Sequence, residues 1–374
     1  MATKAATTID QVTARRRPVG LIAWDAERSA GGYTLFAPLT GDGHVYLIDI
    51  EGNTVHHWKM PIRPGRDAVI LPNGNLGYNG NHPTSLDPYA AWQTWHGGAF
   101  SEVTPQGEVV WEFEDPRHHH DAQWLPNGNL LYSCIEPLLD DFARRVPGGH
   151  TLHGPSGTLY GDVIKEVNRR GETVWEWHAR EHLDPALFPL HPFFARFHWP
   201  LVNGLYQTRA GEVLMSLRMT SGVIAVDKKT HKVTWHLGPD VVAQQHTPVE
   251  LGNGNILIYD NGNSRPGVPA PYTRVIEVER ASKKVVWQYA DPYRAAFFSP
   301  SMGGAQRLDN GNTFVAESTF GRLFEVTPAN EVVWEYVIPY FAAFPEEAAR
   351  KQRPGMQNSV FRAHRYIKSQ IPWL

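Results

Sequence analysis

The chain has 374 residues and a formal net charge of -3, and its lysines and arginines form no dense stripe, which disfavours nucleic-acid binding. No apolar run approaches the roughly 20 residues that a membrane helix needs, and the 42% of hydrophobic residues suits a soluble globular protein. The 13 tryptophans, 18 histidines, 33 glycines and 29 prolines describe a chain rich in turns and aromatic packing, which points to an all-β protein.

Residues 1–18 carry the only basic run, Arg15 to Arg17, and no apolar signal core. They read as a flexible start to a single domain over 19–374. Cys134 is the only cysteine, so no intrachain disulfide forms. A cytoplasmic location follows, or a periplasmic one for a chain whose leader has been removed. "GYTLFAP", Gly32 to Pro38, reads as a strand without an inner partner. It leads into "HVYLIDIEGNTVHHW", a polar turn between two β-rich runs that ends at Trp58. The same hairpin recurs to Trp111, Trp175, Trp235, Trp287 and Trp334, at spacings of 47 to 64 residues. Those tryptophans read as core packing.

A second hairpin precedes most copies: "AVILPNGNLGY", "AQWLPNGNLLY", the degenerate "LYQTRAGEVLM", "VELGNGNILIY" and "AQRLDNGNTFV". Asn-Gly supplies the positive φ values of a tight turn. Two hairpins make a four-stranded blade, and six blades in a ring bury one another's faces, so a six-bladed β-propeller is predicted. "SVFRAHRYI", Ser359 to Ile367, has no partner after it and is predicted to complete the first blade, removing the open edges. Insertions at about 135–160, 178–200 and 337–357 are expected over the channel mouth, the last with a short helix in "FPEEAARKQ".

Counting back from each Asn-Gly turn gives the first residue of each innermost strand, the one that lines a propeller's channel. These are Arg66, His120, Asn203, His246 and Gly303, with Arg362 or His364 on the closing strand. His120 and His246 thus converge from distant sequence on one mouth. The residues after each second strand should rim it: His82, Glu136, Arg218, Asn261 with Asn263 and Arg265, and Glu317 with Ser318. Arginines beside histidines make a site for a tetrahedral oxyanion such as sulfate or phosphate.

The stretches "HHD…LPNGN", "QQHTPVELGNGNILIYDNGNSR" and "GGAQRLDNGNT", with the opening "GYTLFAPLTGDGHVYLIDIEGNTVHHW", resemble the arylsulfotransferase family of six-bladed propellers, from about Val19 to Tyr366. The resemblance implies sulfuryl transfer between phenols through a transiently sulfated channel histidine, without a nucleotide donor and without a required cofactor. By motif it assigns His246 and Arg265 to the family's paired His and Arg, and His120, with His119, to an earlier channel histidine. It assigns Asn203 to a polar channel residue and Arg218 to the arginine of an "SxR" motif. One departure stands out: active members carry a further channel histidine on a later blade, where this chain has Gly303 and no histidine from Thr247 to Ala363.

The resulting expectation is a ping-pong reaction. His246 attacks sulfur, Arg218 and Arg265 stabilise the equatorial oxygens, and His120 protonates the leaving oxygen and then deprotonates the acceptor phenol. The aromatic insertion Phe188 to Trp199, with His198, binds the ring of a small aromatic substrate. Two other readings stand beside this one. In the first, His119, His120, His198 and His246, with Asp121 or Glu136, hold a divalent transition metal. In the second, the propeller binds ligands without catalysis. No nucleic-acid or membrane partner is expected, and the oligomeric state is left open.

Overall fold

A computed structural model describes residues 18–82, 92–150 and 157–374. The expected flexible start lies outside the described residues apart from Pro18. Six antiparallel sheets form the six blades. Blade two holds Pro64–Ile70, Leu76–Asn81, Gly98–Val103 and Val109–Glu114 from the centre outward, and blade three holds His118–Trp124, Leu130–Pro137, Tyr160–Val167 and Thr173–His178. Blade four begins at Val202–Gln207, blade five at His246–Glu250 and blade six at Gly304–Arg307. Each innermost strand contacts that of the next blade, and blade six returns to blade one.

Blade one is assembled as expected. Val360–Tyr366 pairs antiparallel with Tyr33–Pro38, placing Tyr366 opposite Tyr33 and Val360 opposite Pro38. A second closure was not foreseen: Gly20–Trp24 adds a fifth, outermost strand to blade six, along Val332–Val337. The two chain ends therefore clasp adjacent blades.

The recurring tryptophan is more than core packing. Each indole N–H donates to a backbone carbonyl of the following blade: Trp58 to Thr104 (3.0 Å), Trp111 to Arg169 (2.8 Å), Trp175 to Lys228 (2.9 Å), Trp235 to Arg280 (2.8 Å), Trp287 to Pro328 (3.1 Å) and Trp334 to Ile50 (2.8 Å). The last bond crosses the seam between blades six and one. Trp58, Trp235 and Trp334 are buried, and Trp111, Trp175 and Trp287 are only partly so.

The Asn-Gly turns also differ in detail from expectation. Only the glycine takes positive φ (+86° at Gly74, +83° at Gly128), and Gly74 N–H donates to Leu71 O while Leu71 N–H donates to Asn75 O. This is a type I turn with a glycine bulge, in which asparagine needs no left-handed conformation. Its amides are used elsewhere: Asn73 and Asn75 both donate to Glu102 (2.8 and 2.7 Å), as Asn253 and Asn255 do to Glu277. Arg169 and Arg307, from the next blades, neutralise those glutamates. The repeated "NGN" is thus half of an inter-blade polar clamp.

The first two insertions meet: Gly148–His150 runs parallel to Leu190–Ala195. Val146, Phe188, Leu190 and Trp199 anchor the pair in the largest apolar cluster, beneath blades three and four. Ile135 and Glu136, read as insertion, continue a blade-three strand that ends at Pro137. The third insertion carries the expected short helix, Glu347–Gln352. It packs through Phe344 and Ala349 on Leu39, Met302 and Phe361, and Arg63 holds Glu346 at 2.8 Å. No helix among the described residues is long and apolar enough to cross a membrane.

Candidate active site in the central channel

His246 is the first residue of the innermost strand of blade five and His120 the third of that of blade three, which begins two residues earlier than the repeat alignment placed it, and both are nearly buried (2% and 8% exposed). Burial lowers both imidazoles well below their usual range, helped by Arg66 at His120 and by Arg218 at His246. Both are therefore neutral at neutral pH.

His246 is fixed on both sides of its ring. Its Nδ1 lies 2.7 Å from Asn261 Oδ1, and its Nε2 accepts the Met302 N–H at 3.1 Å. Asn261 is itself held by the carbonyls of Ser299 and Met302 (2.8 and 2.9 Å).

A second wall, on blade three, is the His118–Asp121 run. His118 is fully buried: Nδ1 lies 2.8 Å from Ser133 O, and Nε2 lies 2.9 Å from Asn79 Nδ2, a pairing of structural type. His119 Nδ1 lies 2.8 Å from His120 Nδ1. Behind it, His119 Nε2 and His198 Nε2 approach Asp162 Oδ1 at 3.0 and 3.2 Å. Asp162 also accepts the Leu201 and Val202 N–H groups at 2.8 and 3.0 Å. Burial would raise this carboxyl, but His198 and His119 outweigh it and hold it below the usual range. Burial pushes His119 down to about 4 despite the carboxylate. Asp121 accepts the Leu205 N–H at 2.7 Å and pairs with Arg362 across the channel at 2.5 Å.

The expected rim residues separate into groups. Arg218 enters the site: its guanidinium lies 5.0 Å over the Phe194 ring and has no carboxylate partner among the described residues. Burial, then the neighbouring Arg353, lowers it to about 10. Arg353, from the third insertion, donates to Ser301 Oγ at 2.6 Å. Arg66 instead reaches across to blade three and donates to His119 O at 2.5 Å. Asn203, fully buried, ties blade four to Gln245 O (2.9 Å). Arg265 is held by Asp260 (2.9 Å) and by the Tyr272 ring (4.5 Å), on its own blade. His82 faces Glu114 at 3.4 Å, Glu136 faces His178 at 3.0 Å, and Asn263 donates to Pro300 O at 2.6 Å. Glu317 pairs with Arg322 at 3.2 Å and lines a separate 640 Å³ cavity with Tyr293, Phe298 and Phe341. Ser318 is buried next to it. Trp199 is fully buried, donating to Phe188 O (2.8 Å), so of the aromatic insertion it is Phe194 that reaches the arginine.

Asp162 and Arg353 are the site residues that the sequence did not single out. Asp162 lies on a third strand, outside the inner-strand alignment, and Arg353 lies in an insertion with no repeat to align. The expected metal ligands do not converge as a set. His119 and His198 share Asp162, with ligand atoms within 4.8 Å of one another, but His246 is committed to Asn261 and Met302.

So many buried neutral imidazoles make the fold acid-sensitive. His96 and His119 are each lowered to about 4, burial being the largest cause in both. Below pH 6.5 the unfolded chain binds protons that the folded one refuses, so stability is full above that pH and is lost as pH falls towards 4. Each of the two costs about 2 kcal/mol by pH 5. The urea midpoint at pH 5 should lie well below that at pH 7.5; equal midpoints would show that these rings accept protons in place.

This propeller, with arginines and histidines at its axis, matches the family described as Arylsulfotransferase (ASST) over residues 40–242 and 239–337. The chain belongs to that family. No curated protein matches it. Among solved structures it is similar to a Bacteroides caccae protein of unknown function, 14% identical with a TM-score of 0.53, covering 90% of this chain and 100% of that one. It is also similar to a catalytically inactive virginiamycin B lyase from Staphylococcus aureus crystallised with quinupristin, 9% identical with a TM-score of 0.47, covering 86% and 88%. At such identities the first likeness speaks for the fold alone.

Proposed function

We propose that the protein moves a sulfuryl group from one phenol to another through a channel histidine, with no nucleotide donor and no required cofactor. The observation that carries this is Arg218. It is a half-buried cation with no carboxylate partner among the described residues, set beside Arg353 and His246 and against the ring of Phe194. Burying a cation beside another is costly unless an anion completes the site, and an aryl sulfate brings both the anion and a ring. Arg218 and Arg353 bind the sulfuryl oxygens, and their charge stabilises the transition state more than the ground state as bonds to sulfur lengthen. Arg265, held on Asp260, supports blade five instead of touching substrate. The substrate is a small aromatic, and the location is proposed as cytoplasmic or, behind a leader, periplasmic.

With 4-nitrophenyl sulfate and a phenol acceptor, purified enzyme should release nitrophenolate and form the new aryl sulfate. Arg218→Met should lower kcat/KM by on the order of 100-fold or more. Folded wild-type protein that transfers no sulfuryl group from any aryl sulfate would refute the reading. Stoichiometric metal after purification without affinity metals would favour a metal-dependent activity.

A further inference from the structure

We infer that the 640 Å³ cavity where blade six meets the connection from blade five is a binding site for a small organic ammonium, an arylalkylamine in its protonated form. The cavity lies apart from the channel, and the inference does not depend on the sulfuryl-transfer reading.

Segments that repeat nothing build most of the wall. The connection after blade five brings Tyr293 and Phe298, the third insertion brings Phe341, and the clasp strand Gly20–Trp24 brings Ile22. Phe320, from the turn between two strands of blade six, adds a fourth aromatic ring. Ile22, Tyr293 and Phe320 remain 40%, 75% and 49% exposed, so apolar surface that folding leaves uncovered gathers around one cavity. The faces of aromatic rings are electronegative and attract cations.

The polar part of the lining is acidic. Glu317 and Glu335 share one arginine: Arg322 Nε donates to Glu335 Oε1 at 2.7 Å, and its Nη1 reaches Glu317 Oε2 at 3.2 Å. Two carboxylates around one guanidinium leave one negative charge over. Buried carboxylates elsewhere in the chain are answered more fully. Glu102 receives the Asn73 and Asn75 amides as well as Arg169, and Asp260 receives both Arg265 and Arg274. Glu317, only 4% exposed, has the longer arm of a shared arginine. Its carboxyl records the shortfall, since burial raises it to about 7 in spite of Arg322. Tyr259 and Tyr289 of blade five lie near it, and burial keeps both phenols neutral. A buried carboxylate is costly unless it is paired. A protonated amine supplies the missing cation and N–H donors, and its hydrocarbon covers the aromatic wall. An anion would meet the surplus negative charge, and an uncharged ligand would leave that charge unanswered.

Calorimetric titration of the full chain with 2-phenylethylammonium at pH 8 should show one saturable site. The affinity for 2-phenylethanol, which has the same shape without the charge, should be lower by about tenfold or more, and phenylacetate should not bind. Glu317 is about one-tenth ionised at pH 6 and about nine-tenths at pH 8, whereas the amine is protonated at both. The ammonium pairs with the ionised form, so its affinity should fall by about tenfold from pH 8 to pH 6. Glu317→Gln should remove that pH dependence together with most of the affinity. Tyr293→Ala, at a side chain too exposed to carry the fold, should weaken binding by about threefold and leave Tm unchanged. Equal affinity for the amine and the alcohol, binding that does not change between pH 6 and pH 8, or binding undiminished in Tyr293→Ala would each overturn the inference.

Discussion

Deletion of Ser359–Leu374 should leave no folded protein, and should not merely fray one end. The segment supplies the innermost strand of blade one and buries Val360, Phe361 and Ile371 to 1% exposure or less. Tyr366 Oη accepts the Ile70 N–H at 2.9 Å, and Trp373 donates to Gly74 O at 2.8 Å while packing edge-on against Trp58. Losing three large buried side chains alone costs about 5–9 kcal/mol, comparable to the roughly 5–15 kcal/mol that holds a typical protein folded. The deletion also bares both edges of the ring. Circular dichroism and thermal melts of the truncated chain check this; a cooperative transition at the wild-type temperature would mean that blade one is complete without its closing strand.

Restoring a histidine at the later-blade position should damage the protein instead of supplying a second nucleophile. Gly303 lies at φ +115°, and a Cβ built on it would stand 2.2 Å from Cε1 of Tyr259. Tyr259 is fully buried, edge-on to Phe297 at 6.0 Å, so it fills the volume that a side chain at 303 would need. The backbone conformation costs about 1–2 kcal/mol for a residue with a Cβ, and overpacking adds about 1–3 kcal/mol. Gly303→His should therefore lower Tm by about 5 °C or more. Gly303→Ala should reproduce most of the loss of stability, because the clash begins at Cβ. A Gly303→His protein with the wild-type Tm would show that Tyr259 yields. The ring of Tyr259, from the adjacent blade, fills the space that a side chain at 303 would need.

The ring was legible because its signals repeat. Asn-Gly turns recur on four blades and the closing tryptophan on all six, and the unpaired "SVFRAHRYI" had one vacancy to fill. Gly20–Trp24 was not legible, since "GLIAW" repeats nothing and pairs only because blade six leaves an outer edge. Within the site, alignment of the inner strands located His120 and His246 because their places depend on backbone register. It could not say that His246 Nε2 is engaged, because the Met302 N–H arrives from another blade. Arg265 shows the complementary failure. Its motif fixes where its Cα lies, but Asp260, five residues earlier, captures its side chain.

The tryptophan clamp gives the molecule a property that its linear chain hides. The bond from Trp334 to Ile50 at the seam is of the same kind as the five between covalently consecutive blades. Blade six thus grips blade one as any blade grips its successor, and the peptide link between neighbours adds continuity but no special cohesion. In topological terms the ring has no privileged origin. Circular permutants that join the native ends and reopen the chain between two other blades keep every one of these clamps, and the channel residues would meet at the axis whichever blade the ribosome makes first.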